Sequence, residues 1–267
     1  MKIDKLKIAQ KANRLRQAYN IQNNGIKDIF SFVNLQDVEL IRYPFGTNTI
    51  LGFSTVYEGK KIIVSNSSEI LSREIFTIAH ELGHIEFDFS ENNQGIKIDK
   101  TEEDAGNDYS ESVAFYFANC LLMPKDKLLE FLEFNLKKKP EELMAINIVR
   151  MQMEFNVSFS ALVKRLVDLE IITPAKKHEL HSERDYYTSK KLFELLGADD
   201  DLLKPTEVIA VPPQYSDYVL SNYENGYIPF SSLTKAFALL GIDTTDIHEK
   251  EAKQETDDLD DIFEEYN

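Results

Sequence analysis

The sequence predicts an α+β fold, a small antiparallel sheet packed on a helical core with an additional helical module towards the C-terminal end. Three observations carry this reading. Between residues 38 and 64, three short runs rich in β-branched and aromatic residues alternate with turn residues, the pattern of neighbouring strands. Between residues 75 and 123, two longer segments carry apolar residues at helical spacing. Beyond Lys137, shorter helical patterns follow one another, punctuated by Pro and Gly. Hydrophobic residues make up 43% of the 267, enough for a substantial core in one to three small domains and well outside the disordered range.

In chain order, residues 4–20 form a helix in which Leu6, Ala9, Leu15 and Ala18 stand among basic positions, a scaffold helix with a solvated face. Residues 26–34 suit a second, short helix. Strands follow at 38–43, 51–57 and 61–64, with Glu58-Gly59-Lys60 as a hairpin turn. The exposed edge of this sheet is expected to align an extended peptide by strand addition. Asn66 with Glu69 three places on resembles a capping box. It opens a helix whose apolar stripe is Ile75, Ile78, Ala79, Leu82 and Ile85. Residues 90–108, polar and acidic, are expected to be a loop, and 110–123 a second long helix stopped by Pro124. Helices are further expected at 126–136, 141–154 and 161–170, with a break at Lys137-Lys138-Lys139-Pro140. The helix–link–helix between 141 and 170 resembles a winged-helix fragment, here read as packing on the core rather than touching DNA. The similar stretches 193–199 and 237–243 read as two amphipathic helices, each closed by a glycine.

The first long helix contains Thr77-Ile78-Ala79-His80-Glu81-Leu82-Gly83-His84, and within it H-E-x-x-H, a two-histidine metal motif. Residues i and i+4 of a helix lie one above the other, so His80 and His84 can share one metal ion, with Glu81 close enough to act as general base. Only 5 histidines occur in the chain, and two of them fall at this spacing around a glutamate. A catalytic zinc site needs a third protein ligand and an open position. No histidine follows His84 until His178, so the third ligand is expected to be a carboxylate. Glu86 and Asp88 lie too near along the same helix to close round the ion. Glu111, at the start of the second helix, is the first choice, with Asp104 and Asp108 behind it. Ala114 and Ala118 share its helical face and are small enough to let the two helices approach closely. Tyr109 and Tyr116 are candidate donors to a developing oxyanion. His178 and His181 read as surface histidines, and Cys120 as a buried thiol.

These two segments, the histidine motif and Glu111-x-x-Ala114-x-x-Phe117-Ala118-x-x-Leu121-Leu122-Met123-Pro124, together resemble the ImmA/IrrE family of metallopeptidases. The resemblance runs from about residue 38 to 124 and extends more thinly to about 173. It implies a zincin-like helical core, Zn²⁺ as the cofactor and Glu111 as the third zinc ligand. It also implies cleavage of helix-turn-helix transcriptional repressors of mobile elements, phages or stress regulons. Where the family often carries Asn after the alanine, this chain has Phe115. The expected division is a metallopeptidase core over 1–136, a winged-helix-like extension over 137–182, a small module over 183–245 and an acidic, disordered tail over 246–267.

A net charge of −16 argues against direct nucleic-acid binding over most of the surface, and the basic protein partner is what the family resemblance implies. The charge is uneven. Residues 246–267 hold 10 acidic and 2 basic side chains, a net of −8, while the first 28 hold 7 basic and 2 acidic, a net of +5. No apolar run approaches the length of a membrane span, the first residues lack a signal-peptide pattern, and one cysteine suits a reducing compartment, so a cytoplasmic location is expected. The function these readings predict is a zinc endopeptidase acting on a basic DNA-binding repressor. The alternative is a zinc-stabilised regulator that sequesters a repressor or toxin without cutting it.

Overall fold

The computed structural model describes residues 3–89, 95–99 and 108–246. The chain divides into two compact units, residues 1–212 and 213–267. Residues 137–212 thus belong to the same unit as 1–136.

The first unit begins with helix α1 (Lys5–Ala18), whose first turn is capped by the Asp4 side chain accepting from the Lys7 amide, and α2 (Ile29–Asn34), capped in the same way by Asp28. Strands β1 (Val38–Tyr43), β2 (Gly52–Tyr57), β3 (Lys60–Asn66) and β4 (Gly95–Asp99) form one sheet in the order β1-β3-β2-β4. The β2–β3 hairpin turns on Glu58 and Gly59, both at positive φ (49° and 79°), the backbone that matches the strands' right-handed twist. Two expectations fail here. The sheet is mixed rather than antiparallel, because β3 returns between β1 and β2 and pairs parallel with β1, Leu40 facing Ile63. The stretch 90–108 is also not all loop: Gly95–Asp99 adds an antiparallel strand, Phe53 pairing with Ile98 and Thr55 with Ile96. The outer edge of β1 is met at one point by residues from much later in the chain, where Arg42 and Ala210 exchange backbone hydrogen bonds.

Helix α3 (Leu71–Phe87) packs on β2 and β3, and α4 (Tyr109–Leu122) packs on α3. The capping box expected at Asn66 is absent. The helix starts after Ile70 with no side-chain cap, and Asn66 instead binds the preceding loop, donating to the carbonyls of Gly46 and Ile50 and accepting from the Phe45 and Ser68 amides. What anchors the start of α3 is a buried ion pair. Glu74, fully buried, receives two bonds from the Arg42 guanidinium at 2.8 Å each and one from Ser65 Oγ at 2.9 Å. Arg42 also donates to Thr206 Oγ1, and its guanidinium lies 3.9 Å from the centre of the Phe30 ring. A bidentate guanidinium–carboxylate pair of this kind fixes both partners in orientation.

The far end of α4 is held by two arginines. Arg16 of α1 donates to the Leu121 carbonyl and to those of Asn23 and Asn24. Burial lowers its pKa to about 10, so it stays charged at neutral pH. Helix α1 therefore turns one of its basic residues inward rather than leaving all of them to solvent. Arg165, on α7 (Phe159–Asp168), donates to the Met123 carbonyl. Both cations meet carbonyls left without helical partners, at the negative end of the helix dipole.

After α5 (Lys125–Glu130) the chain continues through a wider π-type turn, Phe131–Leu136, and leaves it at Lys137 in the left-handed region. Helices α6 (Ala145–Phe155) and α7 supply Ile148, Met151, Phe155, Leu162 and Leu166 to the same core as α3 and α4. Helices α8 (Pro174–Tyr186) and α9 (Ser189–Leu195) complete this side, and His181 of α8 packs edge-on against Phe159. The second unit contains α10 (Gln214–Glu224) and α11 (Phe230–Ala238), joined around Val219, Leu233 and Phe237. The stretches 193–199 and 237–243 end alike: Gly197 and Gly241 sit at φ 66° and 69°, and the amides of Ala198 and Ile242 return to the carbonyls of Phe193 and Phe237. The tail beyond Asp246 lies outside the described residues. Among the described residues, no helix is long and apolar enough to cross a membrane.

Candidate metal centre

The site forms where α3 and α4 touch, and glycine sets how closely they do so. A Cβ on Gly83 would lie 2.8 Å from Ala114 Cα and 3.1 Å from the Ala114 carbonyl oxygen. Only a residue without a side chain, facing an alanine, permits this contact. Gly83 stands between the two histidines in sequence, and Ala114 is three residues after Glu111. The contact therefore brings the first turn of α4 against the histidine turn of α3.

The three side chains converge. His80 Nε2 lies 3.1 Å from Glu111 Oε2, His84 Nε2 lies 3.3 Å from Glu111 Oε1, and the two Nε2 atoms are 3.1 Å apart. His80 and His84 are buried and Glu111 is half-buried. These separations suit a divalent ion: ligands about 2.0–2.1 Å from a tetrahedral zinc stand roughly 3.3 Å from each other. The described residues contain this one His/Cys/Asp/Glu group able to hold a metal.

His84 is oriented from behind. Its Nδ1 hydrogen-bonds the Asp88 carboxylate, and Ser110 Oγ donates to the same carboxylate oxygen. With Nδ1 turned to that carboxylate, Nε2 is the nitrogen that faces the cluster, where an ion could take the place of its proton. Electrostatics point the same way. Burial opposes charge on His84, but hydrogen bonds to Asp88 and Glu111, with the charges of Glu81 and Glu111, outweigh it and lift the pKa to about 10. Hydrogen bonds from His80 and His84 hold the Glu111 carboxyl far below the usual carboxylate range, against the opposing effect of burial. A pocket that so favours positive charge suits a cation.

Of the other candidates, Asp108 is the N-cap of α4, its carboxylate accepting from the Ser110 amide, and it does not join the cluster. Asp104 lies outside the described residues. Glu86 pairs with Lys11, and Tyr109 is exposed. Tyr116 lines the cleft that opens beside His80 and Glu111. Burial, its first cause, raises the Tyr116 pKa, so it remains a protonated phenol. Glu81 follows His80 directly and is fully buried. Spacing alone had set Asp88 aside as a ligand. Its role behind His84 rests on the same i, i+4 rule that links the histidines, and that rule was the available signal.

The cleft itself encloses about 960 Å³ and is walled by α3, α4, α7 and α8. Residues 34–167, from the end of α2 to α7, match the peptidase family model described as the IrrE N-terminal-like domain, Peptidase_M78. The chain belongs to this IrrE N-terminal-like peptidase family. The matched span is half of the chain and contains α3 and α4, which carry the cluster, the described strands β1 to β4, and the part of the cleft wall up to α7. Membership makes the chain a peptidase by family, and the His80–His84–Glu111 cluster gives that family assignment a place to hold a metal ion. No curated protein matches the chain.

Proposed function

We propose that the chain is a zinc-dependent endopeptidase that cuts a basic, DNA-binding helix-turn-helix repressor. The observation that carries the peptide-cutting part is the convergence of two imidazoles and one carboxylate, of which His80 and Glu111 line a large cleft. Two nitrogens and one oxygen donor suit Zn²⁺, and three protein ligands leave a position open. A bound divalent ion supplies Lewis-acid chemistry, polarising a carbonyl and making water easier to deprotonate. The side chains do the rest. His80, His84 and Glu111 would hold the ion. Asp88 and Ser110 keep His84 aimed at it. Glu81, next to His80 on the same helix, accepts the proton of the attacking water and returns it to the leaving amine. The cleft positions the peptide and keeps bulk water away from the reacting bond.

The opening beside the cluster favours an enzyme over a sequestering regulator, because a purely structural zinc site is closed by a fourth protein ligand. A basic partner fits the net charge of −16. The test is co-incubation of the full chain with a basic helix-turn-helix repressor encoded beside it, with zinc analysis, for wild type and Glu81→Gln. Discrete fragments with wild type, and none with the zinc-loaded Glu81→Gln variant, are expected. A stable complex of intact chains would instead support sequestration, and undiminished cleavage by Glu81→Gln would remove the glutamate from its role.

A further inference from the structure

We infer that Lys164 and Arg184 form a subsite of the cleft that takes an acidic side chain of the bound peptide, next to a large apolar residue seated on Phe76 and Phe115. The inference rests on the peptidase reading and names the kind of segment the site accepts.

It starts from a local excess of positive charge in an acidic protein. The cleft is lined by four basic side chains, Arg73, Lys164, Arg165 and Arg184, against two acidic ones, Glu111 and Asp168. Some are already engaged. Glu111 belongs to the metal cluster, Arg73 pairs with Glu69, and Arg165 is buried on the Met123 carbonyl. Lys164 and Arg184 differ. Among the described residues neither has a carboxylate partner, and each lies on an aromatic face of the cleft wall. The Lys164 amine is 4.8 Å from the centre of the Phe115 ring. The Arg184 guanidinium is 5.3 Å from that of Phe159, with Ser160 Oγ at 3.3 Å. A cation resting on a half-buried ring such as Phe115, or on a buried one such as Phe159, is held by an attraction that leaves its charge without a counter-ion. A carboxylate offers it a stronger, charge-assisted bond without dislodging any other protein partner. Asp168 stands one turn beyond Lys164 on α7 and leaves the pair of cations a net positive wall.

The apolar half of the subsite is fixed by the metal-bearing helices. Phe76 is four residues before His80 on α3, and Phe115 is four residues after Glu111 on α4. Their rings meet at 5.3 Å between centres. The pair thus lies about one helical turn, roughly 5–6 Å, from the ligands. An extended peptide advances about 3.3–3.6 Å per residue, so a side chain over this pair belongs to a residue about two positions from the scissile bond. Lys164, resting on Phe115, reaches the residue beside it. A repressor basic in total charge can still present such an acidic, apolar segment.

The experiment measures binding and cutting separately. Fluorescein-labelled octapeptides built around Leu-Phe carry Glu, Gln or Lys in turn one, two or three residues to either side. Their affinity for the full zinc-loaded chain is read by fluorescence anisotropy. At one of these positions Glu is expected to bind roughly five- to tenfold more tightly than Lys, the preference fading at high salt. The double variant Lys164→Glu, Arg184→Glu is expected to invert the order, and Lys164→Gln, Arg184→Gln to abolish it. Equal binding of the three series, or an unchanged order in the charge-reversed variant, overturns the subsite. The same peptides are analysed for fragments by mass spectrometry. Binding preference without any fragment keeps the subsite and counts against the peptidase reading, whereas fragments without preference do the opposite. Thermal unfolding of both double variants within about 2 °C of wild type checks that lost preference is not lost folding.

Discussion

The helix contact at Gly83 allows the cluster to be perturbed without touching a ligand. In Gly83→Ala, the new Cβ would begin 2.8 Å from Ala114 Cα, whereas an ordinary contact starts at 3.4 Å, so α3 and α4 must part by at least about 0.6 Å. The atom it meets is backbone, which cannot rotate away. Helical propensity pulls in the other direction, since Ala is favoured over Gly in a helix interior by about 0.5–1 kcal/mol. Overpacking of a close core contact costs about 1–3 kcal/mol, so the net expectation is destabilisation by about 1 kcal/mol. The larger effect is on the metal. Glu111 moves with α4, and a displacement of this size exceeds the roughly 0.2 Å tolerance of ligand distances. Zinc affinity, measured by competition with a chromogenic chelator, should fall about 10- to 100-fold in a protein that still unfolds cooperatively. Affinity within twofold of wild type would refute the argument that this contact sets the position of Glu111.

Three further outcomes are expected. Asp88→Asn should weaken zinc binding about 10- to 100-fold in the same assay while leaving the fold intact, because His84 loses the carboxylate that fixes its ring. Arg42→Ala leaves the Glu74 carboxylate buried without its guanidinium and should cost about 3–5 kcal/mol in urea unfolding of the full chain. With His84 raised from 6.5 to about 10 in the folded, metal-free protein, its protonation contributes stability that is complete below pH 6.5 and lost as pH rises through 10. The melting temperature of metal-stripped protein should therefore fall from pH 7 to 10 more steeply than that of zinc-loaded protein, in which the ion replaces the proton. Parallel falls would contradict this.

Much of the site was readable because a helix repeats its geometry locally. The spacing of His80 and His84, the position of Glu111 ahead of Ala114 and Ala118, and the amphipathic stripe from Ile75 to Ile85 are all short-range patterns. The hairpin was legible for the same reason, since Glu58-Gly59 states its own backbone. What stayed hidden depends on distance along the chain. Nothing in Val38–Tyr43 says that its neighbour is the third strand, nor that Arg42 reaches Glu74, 32 residues away, and Thr206, far beyond. Gly95–Asp99 is short and sits in a polar stretch, so its pairing with β2 outweighs its composition. Asn66 had a capping pattern, but the loop before it offered more hydrogen-bond partners than the helix after it.

The lock formed by Glu74, Arg42 and Ser65 has a consequence for how a metal ion would be acquired. These groups fasten the histidine helix to the sheet through protein contacts alone, and arginines clamp the opposite end of the neighbouring helix. On the proposed function, the polypeptide would build the receptacle first and take up its ion afterwards, unlike small zinc domains that collapse when stripped. Chelation should silence such a molecule reversibly, with the emptied chain waiting, folded, for the next ion.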